Sequence, residues 1–307
     1  MTAATRRATL TPNLAGLDLT VVSGDPDAPS QLDAWVQGHD LVVDAAAPYP
    51  VWLFRPKEPA ELDPQGYAEA RTRRLIDAVL RHRARLALVG SFTTLPHPGA
   101  ERGELEPRIL YRSHPYFAVK ETIEAMVLEA CRRGLEAVVV NPTAFLGPWD
   151  LKAPSMSFLP SVLTGRVPAT TGRVVNFIDV RDVAAALLEA FQARRFGEKI
   201  PLSGHDVKIS DLVRQACEIH EIRPPRLHGS SWLGAGLAYW AEAALGVLGE
   251  RSPMPALPLL LVRYSYPMEA ARSHAAQREL CPATRPLSST LRDAIDWYGS
   301  IGYLGAR

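Results

Sequence analysis

The sequence predicts an α/β fold in which a doubly wound parallel sheet is followed by a smaller, mostly helical region. Through residues 1–190, short apolar runs rich in β-branched residues alternate with helical patterns. That alternation is typical of βαβ units whose sheet is covered by helices on both faces. Beyond Leu151 the connections become rich in Pro, Ser and Gly. We therefore expect one domain over residues 1–150, to which residues 174–195 return, and a substrate-binding region formed by residues 151–173 and 196–307.

Each predicted element follows from a local pattern. Short apolar runs predict strands at residues 19–23, 41–45, 86–90, 137–141 and 174–178. Apolar residues at three- and four-residue spacing predict helices at residues 68–82, 116–133, 182–193, 209–221, 232–248 and 287–298. Gly134 is expected to end the second of these helices. Asp182 and Ser210 are the expected N-caps of two later ones.

The composition restricts the kind of partner. The chain has 307 residues, 47% of them hydrophobic, which is enough to bury a sizeable core. Lys and Arg number 34 against 33 for Asp and Glu, so no net field draws the chain to a polyanion. We therefore expect a small-molecule substrate and no nucleic-acid partner.

The sequence carries no pattern typical of a metal site, a membrane span or a secretory signal. Cys131, Cys217 and Cys281 are widely separated and lack C-x-x-C or metal-ligand spacing, as expected of reduced thiols. Residues 232–248 are the most membrane-like stretch, but they include Glu242 and are too short to span a bilayer. A buried helix or a substrate lid is expected there. Because no apolar segment follows the charged start of the chain, a cytoplasmic location is expected.

Tyr116 and Lys120 form the first candidate catalytic pair. They stand four residues apart at the start of a strongly periodic helix, so their side chains share one face. A phenol with its ordinary pKa of about 10 is a poor acid–base group at neutral pH, and each unit of pKa lowering needs about 1.4 kcal/mol of phenolate stabilisation. The Lys120 ammonium is expected to supply it, so that Tyr116 exchanges a proton with a substrate oxygen. Taken alone, the spacing also suits a solvated helix edge.

Ser91 is the candidate partner of this pair. It begins a hydroxyl-rich run, Ser91-Phe92-Thr93-Thr94, directly after the strand predicted at residues 86–90. In open α/β sheets, ligands bind at the carboxyl ends of the strands. Ser91 is therefore expected to hydrogen-bond the substrate oxygen as charge develops there. A turn with capping hydroxyls explains Thr93 and Thr94 better than Ser91.

Together with the segments that follow, these residues resemble the extended short-chain dehydrogenase/reductases of the NAD-dependent epimerase/dehydratase family. The resemblance is carried, in order, by Ser91, residues 116–120, Val138-Val139-Val140-Asn141-Pro142-Thr143, Leu146-Gly147-Pro148, residues 176–184 and residues 296–303. These segments are most similar to the dihydroflavonol-reductase-like branch, which includes hopanoid-associated epimerases. They cover nearly the whole chain.

The resemblance implies a Rossmann-like fold, a cofactor that is NADP or NAD, and a homodimer. It implies that Ser91 polarises the substrate oxygen and that Tyr116 is the acid–base catalyst. Lys120 then holds the nicotinamide ribose and lowers the pKa of the tyrosine, while Pro142 and Thr143 border the nicotinamide.

Two upstream segments are similar to further cofactor contacts of the family. Asp25 lies in a turn that resembles the family's G-D-x-x-D turn, whose first Asp faces the adenine. Ala45 and Ala46 lie in a strand end that resembles the family's H-x-A-A, although Asp44 stands where the family has His.

The sequence departs from the family at the family's first element. That element is a strand, a G-x-x-G-x-x-G turn and a helix, whose N-terminus receives the cofactor's pyrophosphate. It is absent here, and residues 7–11 are the expected remnant of the second strand. Since the missing strand is central in the family's sheet, we expect either that the protein begins upstream of Met1 or that the remaining strands have closed up. The glycine pattern at residues 299–305 has no helix after it, so it is interpreted as chance.

Three functions follow from these observations. The first is an NAD(P)-dependent reductase, dehydrogenase or epimerase acting on a secondary alcohol or ketone of a small hydrophobic, natural-product-type substrate. The second is a cofactor-free acid–base enzyme, an isomerase, lyase or cyclase that uses the same Tyr and Lys. The third is a non-catalytic homologue. Retention of Ser91, Tyr116 and Lys120 favours the first function, and loss of the glycine-rich turn favours the other two.

Overall fold

The computed structural model describes residues 1–6, 12–46, 48–52, 62–97, 114–151, 158–252, 255–268 and 275–304. Its strands are β1 (Thr2–Thr5), β2 (Thr20–Ser23), β3 (Leu41–Asp44), β4 (Arg85–Val89), β5 (Ala137–Pro142), β6 (Ala144–Leu146), β7 (Ala169–Thr170), β8 (Val174–Asp179), β9 (Lys199–Leu202), β10 (His205–Lys208) and β11 (Leu227–His228). Its α-helices are α1 (Pro29–Val36), α2 (Pro64–Arg81), α3 (Pro115–Arg132), α4 (Phe158–Leu163), α5 (Val180–Gln192), α6 (Ile209–Ile219), α7 (Ser231–Val247), α8 (Leu257–Tyr264), α9 (Ala275–Leu280) and α10 (Leu287–Ser300).

A four-stranded parallel sheet forms the centre of the fold. Its strand order is β3-β4-β5-β9, and every neighbouring pair runs parallel. Every residue of β5 is buried, as expected of a mostly apolar strand between two helical layers. The predicted α/β fold class with a Rossmann-like parallel sheet is confirmed.

Helices cover both faces of this sheet because successive strand residues point to opposite sides. Leu86 and Leu88 of β4 face the layer made by α1, α2 and α3. Ala87 of the same strand faces the opposite way, toward α5. The two layers give two separate apolar clusters, and the sheet lies between them.

A second, smaller sheet holds the amino end of the described chain. Strand β1 pairs in parallel with β2, from Thr2 opposite Thr20 to Thr5 opposite Ser23. The expected strand at residues 7–11 lies outside the described residues, and the strand that pairs with β2 is earlier in the chain. Asp27, just after β2, accepts a hydrogen bond from Tyr67 of α2 and forms ion pairs with Arg6 and Arg74 at 3.3 and 3.4 Å.

The sheet is interrupted between these two parts. Among the described strands, β1 pairs only with β2, and β3 pairs only with β4. The strands have therefore not closed up across the missing position, which corrects that alternative of the sequence analysis. Val43 of β3 is 48% exposed, whereas Val139 and Val140 of β5 are fully buried. The edge beside the interruption is open.

The second half of the chain packs around its own apolar cluster. β6 and β8 pair in parallel and β8 and β10 pair antiparallel, while α4, α6 and α10 supply side chains such as Leu159, Leu212 and Leu291. The division of the chain at residue 150 stays a prediction. In the described part of the chain, no helix has the length and apolar character needed to cross a membrane.

Helix α7 is exposed along one side, which corrects the expectation of a buried helix. Ala235, Ala238 and Glu242 face the protein, and Glu242 accepts a hydrogen bond from the backbone of Ala256 at 2.9 Å. Leu237 and Trp240 on the other side are 72% and 71% exposed. A role for this helix as a lid stays a prediction.

The two expected N-caps are wrong. Asp179, the last residue of β8, caps α5 and accepts a hydrogen bond from the backbone of Arg181 at 2.8 Å. Asp182 instead accepts from the backbone of Arg285 at 2.7 Å and forms an ion pair with its side chain. Helix α6 begins after Lys208, so Ser210 lies inside its first turn. Both helices start immediately after a strand, and the strand's end sets the position of the cap.

Candidate active site

Helix α3 brings Tyr116 and Lys120 to its buried first turns. His114 caps the helix, its Nδ1 accepting a hydrogen bond from the backbone of Tyr116 at 3.2 Å. Pro115 occupies the first helical position, where its lack of an N–H costs nothing. Tyr116 and Lys120 are each 8% exposed. The alternative of a solvated helix edge is therefore wrong for this pair.

The structure brings Ser91 to Tyr116. Ser91 follows β4 and caps a short 3-10 turn at Phe92–Thr94, and its Oγ lies 3.3 Å from the Tyr116 hydroxyl. That Oγ accepts hydrogen bonds from the backbone of Thr93 at 3.2 Å and from its hydroxyl at 2.8 Å. Since a hydroxyl has one proton to donate, the Ser91 proton is left for Tyr116 or for an oxygen placed beside it.

The pKa of Tyr116 moves in the direction opposite to the one expected from sequence. Burial is the largest cause and raises the pKa to about 12, while the hydrogen bond with Ser91 acts in the lowering direction. The nearby Tyr49 and the Glu124 carboxylate also raise it. Lys120 Nζ lies over the Tyr49 ring, 5.4 Å from its centroid. Tyr116 is therefore a protonated phenol at neutral pH, suited to donating a proton.

An apolar wall borders the Tyr116 phenol. Tyr49 meets the Tyr116 ring edge-on with centroids 5.2 Å apart, and Phe117 does so at 5.4 Å. Tyr264 of α8 packs against Phe117 and donates a hydrogen bond from its hydroxyl to the carbonyl of Thr93 at 3.0 Å. The side chains that form this cluster are Phe92, Tyr116, Phe117, Leu257, Tyr264 and Met268.

Sequence reasoning missed Glu124, which is 1% exposed and contacts the Ser91 segment. Its Oε1 accepts a hydrogen bond from the backbone of Ser91 at 3.1 Å. A signal was present in the sequence, because Glu124 stands four residues after Lys120 and so lies on the same helix face as Tyr116 and Lys120.

The residues expected beside the nicotinamide are buried at the carboxyl end of β5. Pro142 is the last residue of the strand. Thr143 follows it, donates from its backbone N–H to the carbonyl of Leu202 at 3.0 Å and from its hydroxyl to Asn176 Oδ1 at 2.9 Å. Both lie at the sheet edge that also carries Ser91, because β4 and β5 are parallel neighbours.

The remaining expected cofactor residues are exposed. Asp25 lies after β2, where its Oδ1 accepts from the backbone of Asp27 at 2.9 Å. Ala45 and Ala46 follow β3, and Asp44 before them is held by two hydrogen bonds from Arg71 at 2.8 and 3.0 Å. The interruption of the sheet thus falls between Asp25 and the two alanines, and in the described residues no glycine-rich turn opens a helix there.

Comparison with known proteins agrees with this fold. The chain matches the NAD dependent epimerase/dehydratase family over residues 1–209. It is 29% identical over 199 residues to a Synechocystis protein named "Putative dihydroflavonol 4-reductase", covering 63% of this chain and 56% of that one. The chain spans about half the length of the curated relatives it matches.

Solved structures share the fold along almost all of the chain. The crystal structure of gox2253 superposes with a TM-score of 0.72 at 23% identity, covering 98% of this chain and 90% of that one. The Bordetella bronchiseptica enzyme WbmH, solved in complex with NAD+, superposes with a TM-score of 0.64 at 17% identity and the same coverage. Because the family match spans more than half of its residues, the chain belongs to the NAD dependent epimerase/dehydratase family.

Proposed function

We propose that this protein is an NAD(P)-dependent reductase, dehydrogenase or epimerase that acts on a secondary alcohol or ketone, with Tyr116 as its acid–base catalyst. The observation that carries the proposal is the 3.3 Å separation of Ser91 Oγ and the Tyr116 hydroxyl, with Lys120 one turn further along the same helix. A bound nicotinamide supplies or removes the hydride at the substrate carbon. The side chains of this protein handle the proton at the substrate oxygen.

The proton transfer that we propose follows from the protonation state of Tyr116 and the hydrogen bonds of Ser91. With a pKa of about 12, Tyr116 holds its proton at neutral pH and donates it to the carbonyl oxygen as the ketone is reduced. Ser91 donates its own proton to the same oxygen, because Thr93 occupies its acceptor positions. In the oxidation direction, Tyr116 must act as a phenolate, which makes that direction faster at alkaline pH.

Only part of a dinucleotide fits the residues that are described. Lys120 on α3, and Pro142 and Thr143 at the carboxyl end of β5, would hold the nicotinamide and its ribose. Asp25, Ala45 and Ala46 would contact the adenosine half, but they lie on either side of the interrupted sheet. We therefore expect most of the binding free energy to come from the nicotinamide half. NAD and NADP are equally compatible with these residues.

The substrate that we propose is small and hydrophobic, of a natural-product type. The support is the apolar wall beside the Tyr116 phenol, to which α8 contributes Leu257 and Tyr264. Apolar and aromatic side chains around one oriented polar pair are typical of sites for such ligands. A homodimer and a cytoplasmic location stay predictions.

The proposal is tested by turnover. A panel of cyclic, aryl and isoprenoid ketones is incubated with NADPH or NADH, and nucleotide oxidation is followed. Tyr116→Phe is expected to lower kcat/KM by about 10²- to 10⁴-fold, because it removes the proton donor. Tyr298→Phe is the matched control, since Tyr298 is also buried but belongs to the apolar cluster of the second half. Full activity of Tyr116→Phe would contradict the proposal.

A second candidate function is favoured by the interruption between β1 and β3. Acid–base catalysis without a nucleotide, as in an isomerase, lyase or cyclase, needs Ser91 and Tyr116 but no continuous dinucleotide site. Its signature is turnover that depends on Tyr116 and is unaffected by NADPH and NADH. A non-catalytic homologue would show no dependence on Tyr116 in any assay.

A further inference from the structure

Glu124 is a buried carboxylate that the proposed proton step does not use. It lies on α3, eight residues after Tyr116 and four after Lys120, so the three side chains follow one helix face. Burying a carboxylate is costly unless its oxygens are hydrogen-bonded and its charge is compensated. Glu124 meets both conditions, and its partners all belong to the segment that carries Ser91 or to the strands beside it.

Both oxygens of Glu124 are occupied. Oε1 accepts from the backbone of Ser91 at 3.1 Å and from Asn141 Nδ2 at 2.9 Å. Oε2 accepts from Thr94 Oγ1 at 2.7 Å and lies 3.0 Å from Lys199 Nζ. The partners come from β5, from β9 and from the turn after β4. Glu124 therefore links the helix of Tyr116 to the carboxyl ends of β4 and β5 and to the amino end of β9.

The same groups fix the carbonyl of Ser91. Asn141 Nδ2 donates to it at 3.0 Å. Thr94 Oγ1 lies 2.9 Å from it, so the single hydroxyl proton of Thr94 is within reach of both this carbonyl and Glu124. Because Glu124 accepts from its N–H, both backbone groups of Ser91 are hydrogen-bonded, and its hydroxyl is directed toward Tyr116. A serine held in this way keeps its Oγ in one place, as a preorganised hydrogen-bond donor requires.

Gly90 shows how closely this carboxylate approaches the strand end. A Cβ on Gly90 would lie 2.4 Å from Glu124 Oε1 and 2.8 Å from Asn141 Nδ2. Any side chain at this position would displace the carboxylate or the amide. The sequence therefore leaves space for Glu124 next to Ser91.

We infer that Glu124 is a positioning residue, whose carboxylate, compensated by Lys199, holds Ser91 against Tyr116. The inference rests on the proposed function, because the position of Ser91 matters to the reaction only if Ser91 and Tyr116 contact the substrate oxygen. Lys199 reaches the carboxylate from β9 with a side chain that is 34% exposed, and it also donates to the carbonyl of Thr94 at 3.3 Å.

The charge of Glu124 also acts on the Tyr116 phenol. The groups facing the phenol are Ser91 and Thr93 from the turn after β4, Tyr49, and Glu124 from its own helix, and the Glu124 charge is one cause of its raised pKa. Lys120 is on the same helix face. Loss of the Glu124 charge alone would lower the Tyr116 pKa, but the hydrogen bond with Ser91 is a larger cause and acts in the lowering direction. A Glu124 variant that releases Ser91 should therefore raise the Tyr116 pKa, an effect that a purely structural role would not produce.

The test compares Glu124→Gln with Glu129→Gln, a control on the same helix whose side chain is 51% exposed and pairs with Arg132. Tyrosine labelled with ¹³C at Cζ reports the ionised fraction of Tyr116 at alkaline pH, and the spectrum of Tyr116→Phe assigns its signal. We expect a higher Tyr116 pKa in Glu124→Gln, because the hydrogen bond with Ser91 is loosened, and no change in Glu129→Gln. With a ketone that is turned over, kcat should fall by about 10- to 100-fold while KM stays the same.

Three further variants, at two positions, keep the test valid if Glu124→Gln misfolds. Thr94→Val removes one donor to the carboxylate while keeping the side-chain shape, and it should lower kcat in the same direction by a smaller factor. Lys199→Arg keeps the compensating charge and should retain activity, whereas Lys199→Met should not. Unchanged Tyr116 ionisation in Glu124→Gln, or unchanged kcat in Thr94→Val, overturns the inference.

The outcomes separate this inference from the proposed function. If Tyr116→Phe is inactive while Glu124→Gln is fully active, the positioning role fails and the function stands. If Tyr116→Phe is fully active, the function fails whatever Glu124→Gln does, and the positioning role fails with it.

Discussion

The two ends of the candidate site differ in how completely they are built. Around Ser91 and Tyr116, the side chains are buried and partnered, and helix α3, strand β5 and strand β9 all contribute to one hydrogen-bonded network. Around Asp25 and Ala45, the residues are exposed at the ends of two strands that belong to separate sheets. The end that we propose to carry the reaction depends on packing within one parallel sheet, while the end that we propose to contact adenosine lies where the sheet is interrupted.

This difference is one of sheet continuity. A central parallel strand is buried on both faces and bonded on both edges, as β5 is. Among the strands that the structure describes, β3 is bonded along one edge, and its residue Val43 is half exposed. An open edge exposes backbone N–H and C=O groups. Residues next to such an edge that are proposed to contact a ligand have fewer neighbouring side chains to fix their positions. The contact between Ser91 and Tyr116 therefore forms although the sheet is interrupted beside β3.

The largest expected effect concerns a buried ion pair beside the open edge of β3. Arg71 and Asp44 form a buried pair with two hydrogen bonds. Arg71→Met leaves the Asp44 carboxylate buried without its partner and should lower the free energy of unfolding by about 3–5 kcal/mol. Arg6→Met, which breaks an ion pair with Asp27 at a side chain that is 63% exposed, should cost at most about 1 kcal/mol. Urea denaturation measures both losses, and equal losses of unfolding free energy in Arg71→Met and Arg6→Met would contradict this prediction.

The next effect concerns pH and the start of α3. Burial lowers the pKa of His114 to about 4, below the value of about 6.5 in an unfolded chain. Because the unfolded chain then binds a proton that the folded chain does not, stability is fully present above pH 6.5 and falls as the pH decreases toward 4. The loss is about 3 kcal/mol over this window.

His114→Asn is the matched variant, since Asn also accepts a hydrogen bond at an N-cap but does not titrate. The difference in unfolding free energy between the two proteins should depend on pH only between about 4 and 6.5. A pH-independent difference would mean that His114 is not buried as a neutral imidazole.

The smallest effect compares the same substitution on two strands of one sheet. Val139→Ala removes buried methyl groups from β5 and should lower the free energy of unfolding by roughly 2 kcal/mol. Val43→Ala on β3 should change it by less than about 0.5 kcal/mol, because that side chain is half exposed. A large loss for Val43→Ala would show that another part of the protein covers this edge.

Sequence reasoning predicted the elements whose patterns are local. Helix α3 is long and strand β5 is apolar apart from Asn141, so both patterns are clear. Ser91, Tyr116 and Lys120 follow from a strand end and a four-residue spacing. Strand β1 was not predicted, because its four residues, Thr-Ala-Ala-Thr, form no clear apolar run or alternation.

Properties that depend on distant segments could not be read from local patterns. The raised pKa of Tyr116 results from burial among side chains far away in the chain, including Tyr264, which packs on Phe117. The network of Glu124 needs Asn141 and Lys199, whose approach depends on the strand order. The folded geometry was required for both.

The most direct test of the account is a titration of the purified chain with NADPH and then NADH, followed by fluorescence, in the unchanged protein and in Lys120→Met. The account predicts saturable binding at micromolar nucleotide and clear weakening in Lys120→Met, because the nicotinamide half of the site carries the affinity. No binding of either nucleotide, or binding that is unaffected by Lys120→Met, would contradict it.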